Sequence, residues 1–319
     1  FWDEQIKAAV SLRSDYIQSE STTAFRLINS EADGLSGLTV DRYGDWLLVQ
    51  LTSLALAERK EILFDLLEEH CHPQGIWLRT EKGIRDLEGL TISDGLVRGE
   101  EPARPLSIRE NGLTFLVDVA EGQKTGFFLD QRDNRKAVAR YTSGHKVLDV
   151  FSYSGGFGIT AAVAGNAASV TCVDSSKPAI ESSRQNAEAN GVSEKVEFFA
   201  ADAFKYLEGA RDEGAIFDTV VLDPPKMTRT ASGAKSALRG YHSLNDLAVS
   251  VLRPGGILVT CCCSGHISRD EFIRMLSGVA TGAGRRIQIL ESRGHAADHP
   301  VSPNCPENAY LKCLICRVV

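Results

Sequence analysis

No stretch of this 319-residue chain stays apolar for anything near the ~18 residues that a membrane-spanning helix needs. A spanning segment is therefore excluded and no membrane is expected as a partner. The opening residues Phe1-Trp2-Asp3-Glu4 lack the basic-then-apolar order of an export signal. They also lack an initial Met, which points to a piece of a longer protein. Internal repeats and low-complexity segments are missing too, leaving ordinary globular domains, about two at this length. A basic excess is also lacking, because 35 Lys and Arg stand against 42 Asp and Glu for a net charge of −7. That balance argues against holding nucleic acid through bulk charge. The charge is unevenly placed, however: residues 1–110 carry 12 basic and 20 acidic side chains, whereas 111–319 carry 23 and 22.

Cysteine is not lacking, but the eight present are spread too thinly for a disulfide scaffold. Without an export signal they read as reduced thiols, and the protein as cytoplasmic.

Apolar residues at helical spacing predict a helix over 3–18, with Ile6, Ala9, Val10 and Leu12 on one face. Strands are expected at 38–40 and 46–51 around a turn at 41–45, then a helix at 58–70 and a short strand at 75–79. These make a small α+β domain over residues 1–105, expected to bind substrate. Next comes a hairpin over 106–119 turning at Asn111-Gly112, a strong type I′ signal. From Leu129 onward short apolar strands (147–151, 170–173, 196–200, 219–222, 257–262, 311–318) alternate with helices (157–164, 178–190, 203–209, 241–251, 269–280). That alternation predicts a second domain, 106–319, with a Rossmann-like α/β fold, a mainly parallel sheet and ligands at the strands' carboxyl ends.

The first strand of this series runs into Asp149-Val150-Phe151-Ser152-Tyr153-Ser154-Gly155-Gly156-Phe157-Gly158 and then a helix. A glycine turn there brings backbone N–H groups close to a ligand, so Asp149, Phe151, Ser152, Gly155 and Gly156 are cofactor candidates. Asp174, followed by Ser175, ends the next strand, where a carboxylate takes ribose hydroxyls. Asp202, followed by Ala203, closes the third strand, where an adenine amino group would sit. The G-x-G-x-x-G pattern of a dinucleotide dehydrogenase is absent. The glycine turn and two acidic strand ends instead resemble a class I S-adenosylmethionine-dependent methyltransferase. A purely structural glycine turn is the competing reading.

The fourth strand ends in Asp223-Pro224-Pro225-Lys226. Two prolines make a rigid, non-ladder backbone, and Asp223 is placed to hydrogen-bond the edge of a base. Enzymes that methylate base amino groups follow the two prolines with an aromatic residue, and Lys226 and Met227 stand here instead. The fifth strand ends Thr260-Cys261-Cys262-Cys263-Ser264-Gly265. C5 of a pyrimidine becomes nucleophilic once a thiolate adds at C6, and Cys263 lies where the strand opens into the crevice. By strand alternation Cys262 points oppositely and Cys261 lies deeper. A buried, inert thiol is the competing reading. Cys313-x-x-Cys316 has metal-ligand spacing, yet inside a strand the two face opposite ways, so no metal is expected. From Pro224 to Asn245 there is no acidic residue but there are Lys226, Arg229, Lys235, Arg239 and His242, expected as a basic loop touching a phosphate backbone. Arg132, Arg135, Lys136 and Arg140 form a second basic stretch.

Several segments resemble, in order along essentially the whole chain, the RlmI-type family of large-subunit ribosomal RNA cytosine-5 methyltransferases. They are residues 34–44, Lys124 to Arg132, Phe151 to Phe157, Asp223-Pro224-Pro225-Lys226, Arg239-Gly240-Tyr241, Cys263-Ser264-Gly265 and Ala297-Asp298-His299-Pro300-Val301. The resemblance implies S-adenosylmethionine as cofactor, large-subunit ribosomal RNA as partner, a nucleophile at Cys263 and base orientation by Asp223. It further implies that Gln131 and Arg132 enclose the methyl donor. Pro224, Pro225, Lys226 and Arg239 would contact RNA, and Asp298 and His299 would sit on a late hairpin near the substrate mouth. A homodimer is left open. Family members begin with a PUA domain, and this chain is expected to lack it. Guanine-N7 methylation and a non-catalytic cofactor-binding assembly factor are the alternatives.

Overall fold

Two sheets, each with its own core, organise the chain, and the computed structural model describes residues 1–319 apart from 81, 120–125 and 229. The segment 124–125 and Arg229, both singled out above, lie outside the described residues. Residues 1–132 and 296–308 form the first unit, and residues 133–295 and 309–319 the second.

In the first unit, α1 (Trp2–Tyr16) leads into β1 (Ala24–Asn29), β2 (Leu38–Tyr43) and β3 (Trp46–Leu51). Then follow α2 (Leu54–Ala57), α3 (Lys60–Cys71), β4 (Gly75–Leu78), α4 (Lys82–Glu88) and β5 (Gly95–Gly99). The five strands pair in chain order, with β3 and β4 parallel and the rest antiparallel. Ile6 and Ala9 of α1 and Phe64 and Leu67 of α3 pack on Phe25, Leu27, Leu47 and Val49 of the sheet. The turn expected over 41–45 is shorter than that: Tyr43 pairs with Trp46, and only Gly44-Asp45 turns. Asp41 is a buried strand residue because the Arg26 guanidinium of β1 neutralises it.

The hairpin β6 (Leu106–Glu110) and β7 (Leu113–Val117) turns at Asn111 and Gly112, both with positive φ, at 50° and 87°. It belongs to the first unit, not the second, because it hydrogen-bonds the approach to β1. Thr23 N donates to Arg109 O, Arg109 N donates to Thr23 Oγ1, and Asn111 N donates to Thr22 Oγ1. The first unit thus includes the hairpin and runs to residue 132 before residues 296–308 rejoin it.

The second unit begins at residue 133, inside α5 (Arg132–Ala139), and continues through β8 (Lys146–Val150), α6 (Gly156–Val163), β9 (Ser169–Asp174), α7 (Lys177–Ala189) and β10 (Val196–Ala200). It continues through α8 (Ala203–Asp212), β11 (Phe217–Leu222), α9 (Ala234–Ser250), β12 (Leu252–Cys262), α10 (Arg269–Gly282), β13 (Ile287–Arg293) and β14 (Lys312–Val318). The strand order is β10-β9-β8-β11-β12-β14-β13, the first five parallel and β14 antiparallel to both neighbours. This is the mainly parallel α/β sheet expected, with the chain reversing its order of addition between β8 and β11. Ligand crevices open at such a switch point, outside the strands' carboxyl ends. Residues of α8, α9 and α10 cover one face, and residues of α5 and α6 the other. Cys261 and Cys313 pack on the second face, Cys262 and Cys316 on the first, as strand alternation requires.

The basic segment after Pro225 is mostly helix rather than loop. α9 begins at Ala234, so Lys235, Arg239 and His242 are helical. Lys235 and Arg239, four residues apart, share an exposed face, while His242 turns toward Gly278 of α10. In the other basic stretch Arg132 and Arg135 are buried, leaving Lys136 and Arg140 outside.

Candidate active site

β8 ends at Val150, and the next five residues hold three left-handed conformations: Phe151 at φ 62°, Tyr153 at 47° and Gly155 at 82°. For the two residues with side chains this conformation costs about 1–2 kcal/mol each. Neighbouring groups hold the turn in place. Ser152 N donates to Val173 O at 3.0 Å, Gly155 N to Ser152 O at 2.8 Å, and Asn186 Nδ2 of α7 to Ser154 O at 3.0 Å. Gly155 has no substitute, because a Cβ there would lie 2.3 Å from Ser183 Oγ.

Asp174, at the end of β9, clamps this turn. Its Oδ2 accepts from Tyr153 N at 2.9 Å and its Oδ1 from Ser176 N at 2.8 Å. Two amides fix the carboxylate and leave further lone pairs for ligand hydroxyls. Ser176 also caps α7 through Ala179 N; Ser175 between them is exposed. Asp202 is exposed and caps α8, accepting from Lys205 N at 3.0 Å, with Ala203 buried behind it.

Asp149 is buried below the turn. Its Oδ2 accepts the Gly158 amide at 2.8 Å, while its Oδ1 meets no hydrogen-bond partner among the described residues. Burial pushes its carboxyl up to about 7, with added repulsion from Asp223 and Asp174 and against the pull of the Gly158 amide and, more weakly, of Arg135. A half-satisfied buried acid among like charges is completed by a cationic donor such as an ammonium group.

β11 ends one residue before Asp223, whose amide reaches back to Val150 O at 3.4 Å and ties the two strand ends together. Pro224 is buried, and Pro225 and Lys226 are exposed. β12 ends at Cys262, and Cys263 is partly exposed with its Sγ 3.8 Å from Pro224 O. Cys261 and Cys262 are both fully buried. Of the three thiols, Cys263 is the one presented beside the Asp-Pro-Pro turn. The second unit thus brings together Asp149, Phe151, Ser152, Gly155, Gly156, Asp174, Asp202, Asp223 and Cys263 along the carboxyl ends of β8, β9, β10, β11 and β12.

Gln131, Arg132 and His299 lie in the first unit. Gln131 and Arg132 are buried, and the Arg132 guanidinium donates to both carboxylate oxygens of Asp298 at 2.9 and 3.1 Å. Asp298 also accepts from Arg26 N, and its carbonyl accepts from Arg13. His299 is 3% exposed and braces Asp298 through Nδ1 at 3.2 Å. Burial alone would raise the Asp298 carboxyl, but His299 and Arg132 hold it well below the ordinary carboxylate range. Asp298 and His299, expected on a late hairpin, sit in a buried ion network.

Two contributors to the turn escaped the sequence reading: Ser176 and Asn186. Only the N-cap spacing Ser176-x-x-Ala179 carried any local signal. Among the described residues there is no cluster of His, Cys, Asp and Glu able to hold a metal ion, and no helix long and apolar enough to cross a membrane.

Residues 92–317 match the family of S-adenosylmethionine-dependent methyltransferases. The ribosomal RNA large subunit methyltransferase I of Photobacterium profundum is 42% identical over 100% of this chain and 80% of its own length. The enzyme of the same name from Shewanella denitrificans is 43% identical over 100% of this chain and 80% of its own. Among solved structures, a methyltransferase from Streptococcus mutans superposes with a TM-score of 0.87 at 23% identity, covering 99% of this chain and 80% of that one. S-adenosylmethionine is the cofactor, and the residues fit it: the buried Asp149 Oδ1 suits its amino group, and the clamped Asp174 its ribose. This chain belongs to the S-adenosylmethionine-dependent methyltransferases, in the family of the large-subunit ribosomal RNA methyltransferase I enzymes.

Proposed function

We propose that this protein forms 5-methylcytosine in large-subunit ribosomal RNA through a covalent bond between Cys263 and C6 of the base. The supporting observation is the partly exposed Cys263 thiol set against Pro224 O, beside Asp223, while its two neighbouring thiols are fully buried. The substrate class follows from the names of relatives about 42% identical over the full chain.

When bound, S-adenosylmethionine supplies an electrophilic methyl group on a sulfonium. Asp149, Asp174 and Asp202 are the residues that would hold its amino group, ribose and adenine. Asp223 orients the cytosine edge by hydrogen bonding. The Cys263 thiolate adds to C6, and the pair of the C5–C6 double bond shifts to C5. C5, made nucleophilic by Cys263, would take the methyl group, which the bound cofactor would supply by leaving as the neutral thioether. A general base then removes the C5 proton, the double bond re-forms, and Cys263 leaves as thiolate. Pro224, Pro225, Lys226 and the Lys235–Arg239 face of α9 are the proposed RNA contacts.

The test is nucleoside mass spectrometry on unmodified ribosomal RNA incubated with wild-type or Cys263→Ala protein and labelled cofactor. Label in 5-methylcytosine with wild type and none with the variant is expected. Label in 7-methylguanosine, or full activity of Cys263→Ala, would overturn the cysteine mechanism.

A further inference from the structure

Lys312 opens β14 directly opposite Cys262 in the antiparallel register, so its side chain enters the covered face of the sheet. Only 3% of it is exposed. Its two oxygen partners are both backbone carbonyls: Nζ donates to Ser264 O at 2.7 Å and to Tyr310 O at 2.9 Å. Ser264 is the residue next to Cys263. A buried ammonium held by dipoles rather than by a carboxylate is costly to the fold, and such groups concentrate where chemistry needs charge.

We infer that Lys312 is a positioning residue for Cys263: its ammonium anchors the Cys263–Ser264 turn and supplies the fixed positive charge that favours the thiolate. The inference rests on the cysteine mechanism proposed above and deepens it. An unassisted thiol titrates near ~8.5, leaving little nucleophile at neutral pH, and an adjacent cation corrects that. The groups around Lys312 are consistent with this role. From the end of β12 comes Cys262, the sulfur that most favours its protonated form, and from the residue after the strand comes Cys263, with a smaller effect in the same direction; burial opposes both and is larger. From α9 comes Tyr241, fully buried, 3.5 Å from Ser264 Oγ and kept neutral by burial and by the same two thiols. From α10 come Arg269, which opposes the charge on Lys312, and Glu271, whose carboxyl Lys312 helps to hold down; both are partly exposed. Lys312 is left as the buried charge on that side.

The experiment follows iodoacetamide alkylation of Cys263 against pH in the full chain, with the modified peptide quantified by mass spectrometry. Wild type is expected to show a midpoint clearly below ~8.5. Lys312→Met is expected to raise that midpoint by about one unit, a roughly tenfold slower reaction at neutral pH, while Lys312→Arg restores most of it. A merely structural lysine would alter thermal stability and leave the midpoint of the folded variant unmoved, which overturns the inference. A wild-type midpoint at or above ~8.5 overturns it too, and needs no variant to fold. Methylation by Cys263→Ala is read separately. If that variant stays active while the midpoint still follows Lys312, the cysteine mechanism fails and the electrostatic coupling stands.

Discussion

Asp149 Oδ2 accepts the Gly158 amide at 2.8 Å, a contact that needs the missing side chain at Gly158. A Cβ there would lie 2.7 Å from Cys172 Sγ, 2.9 Å from Val170 Cγ1 and 3.1 Å from Asp149 Oδ2 itself. Gly158→Ala therefore forces α6 away from β9 and pulls the amide from the carboxylate. Overpacking of this kind costs about 1–3 kcal/mol. Thermal denaturation should show that loss, and calorimetry should show at least a tenfold weaker affinity for S-adenosylhomocysteine. Adding Cys172→Ala, which removes the nearest obstructing atom, should recover part of the stability.

The same carboxylate makes both stability and ligand binding depend on pH. The Asp149 carboxyl is raised by burial from its ordinary 3.8 to about 7. Between those values the folded protein holds a proton that the unfolded chain has released. Stability of the ligand-free protein should therefore fall as pH rises across that interval and level off above it. Binding of S-adenosylhomocysteine runs the other way, because its amino group pairs with the ionised form, and should strengthen from about pH 6 to about pH 8. Asp149→Asn should flatten both profiles. A wild-type affinity independent of pH over that range would show that Asp149 does not hold the amino group.

In the first unit, Asp298 faces Arg132, Arg26 N and His299 with no exposure of its own. Breaking a buried pair by removing one partner costs about 3–5 kcal/mol. Asp298→Asn should lower the denaturant midpoint by that order, and the isolated change should leave the Asp149 pH profile in place. The sign with pH is opposite to that of Asp149. The folded carboxyl is depressed, so its stabilisation is complete above the ordinary carboxylate range and is lost as pH falls through and below it. Denaturation at neutral pH and at a pH below the ordinary carboxylate range, wild type against variant, checks this: the difference should shrink on acidification.

Much of the second unit was legible from alternation. The strand at Val196–Ala200 matches its expected bounds, and Asp149, Asp174, Asp223 and Cys263 were recognisable as residues at strand ends. Strands defined by their partners were not legible. β1 is interrupted by Arg26, neutralised by Asp41 on the next strand, and that same Asp41 made a strand look like a turn. β13 is an edge strand whose Ile-Gln-Ile-Leu-Glu-Ser-Arg residues are mostly exposed, so no single apolar face marks it. The start of α9 was hidden because Thr230 caps a short 3-10 turn at Ala231–Gly233, and Ser and Gly there lower helix propensity. Lys312 belongs to the same class. Its partners come from Ser264, 48 residues earlier, and local pattern carries nothing about such a register.

The helical placement of Lys235 and Arg239 makes the RNA interface testable without touching the chemistry. As loop residues they would be independent and mobile; as exposed residues four apart on α9 they form a fixed pair of charges. Replacing both with Gln removes two cations from solvent-facing positions, so the fold should be unchanged within about 0.5 kcal/mol. Affinity for a ribosomal RNA fragment should drop at low salt. If both charges meet phosphates on a single-stranded segment, the slope of log affinity against log salt should become shallower by about 1.4, roughly 0.7 for each contact. Binding of S-adenosylhomocysteine should match wild type, which separates a lost RNA contact from a damaged site. An unchanged salt slope would place the RNA elsewhere, with Lys226 and the exposed Pro225 as the next residues to vary.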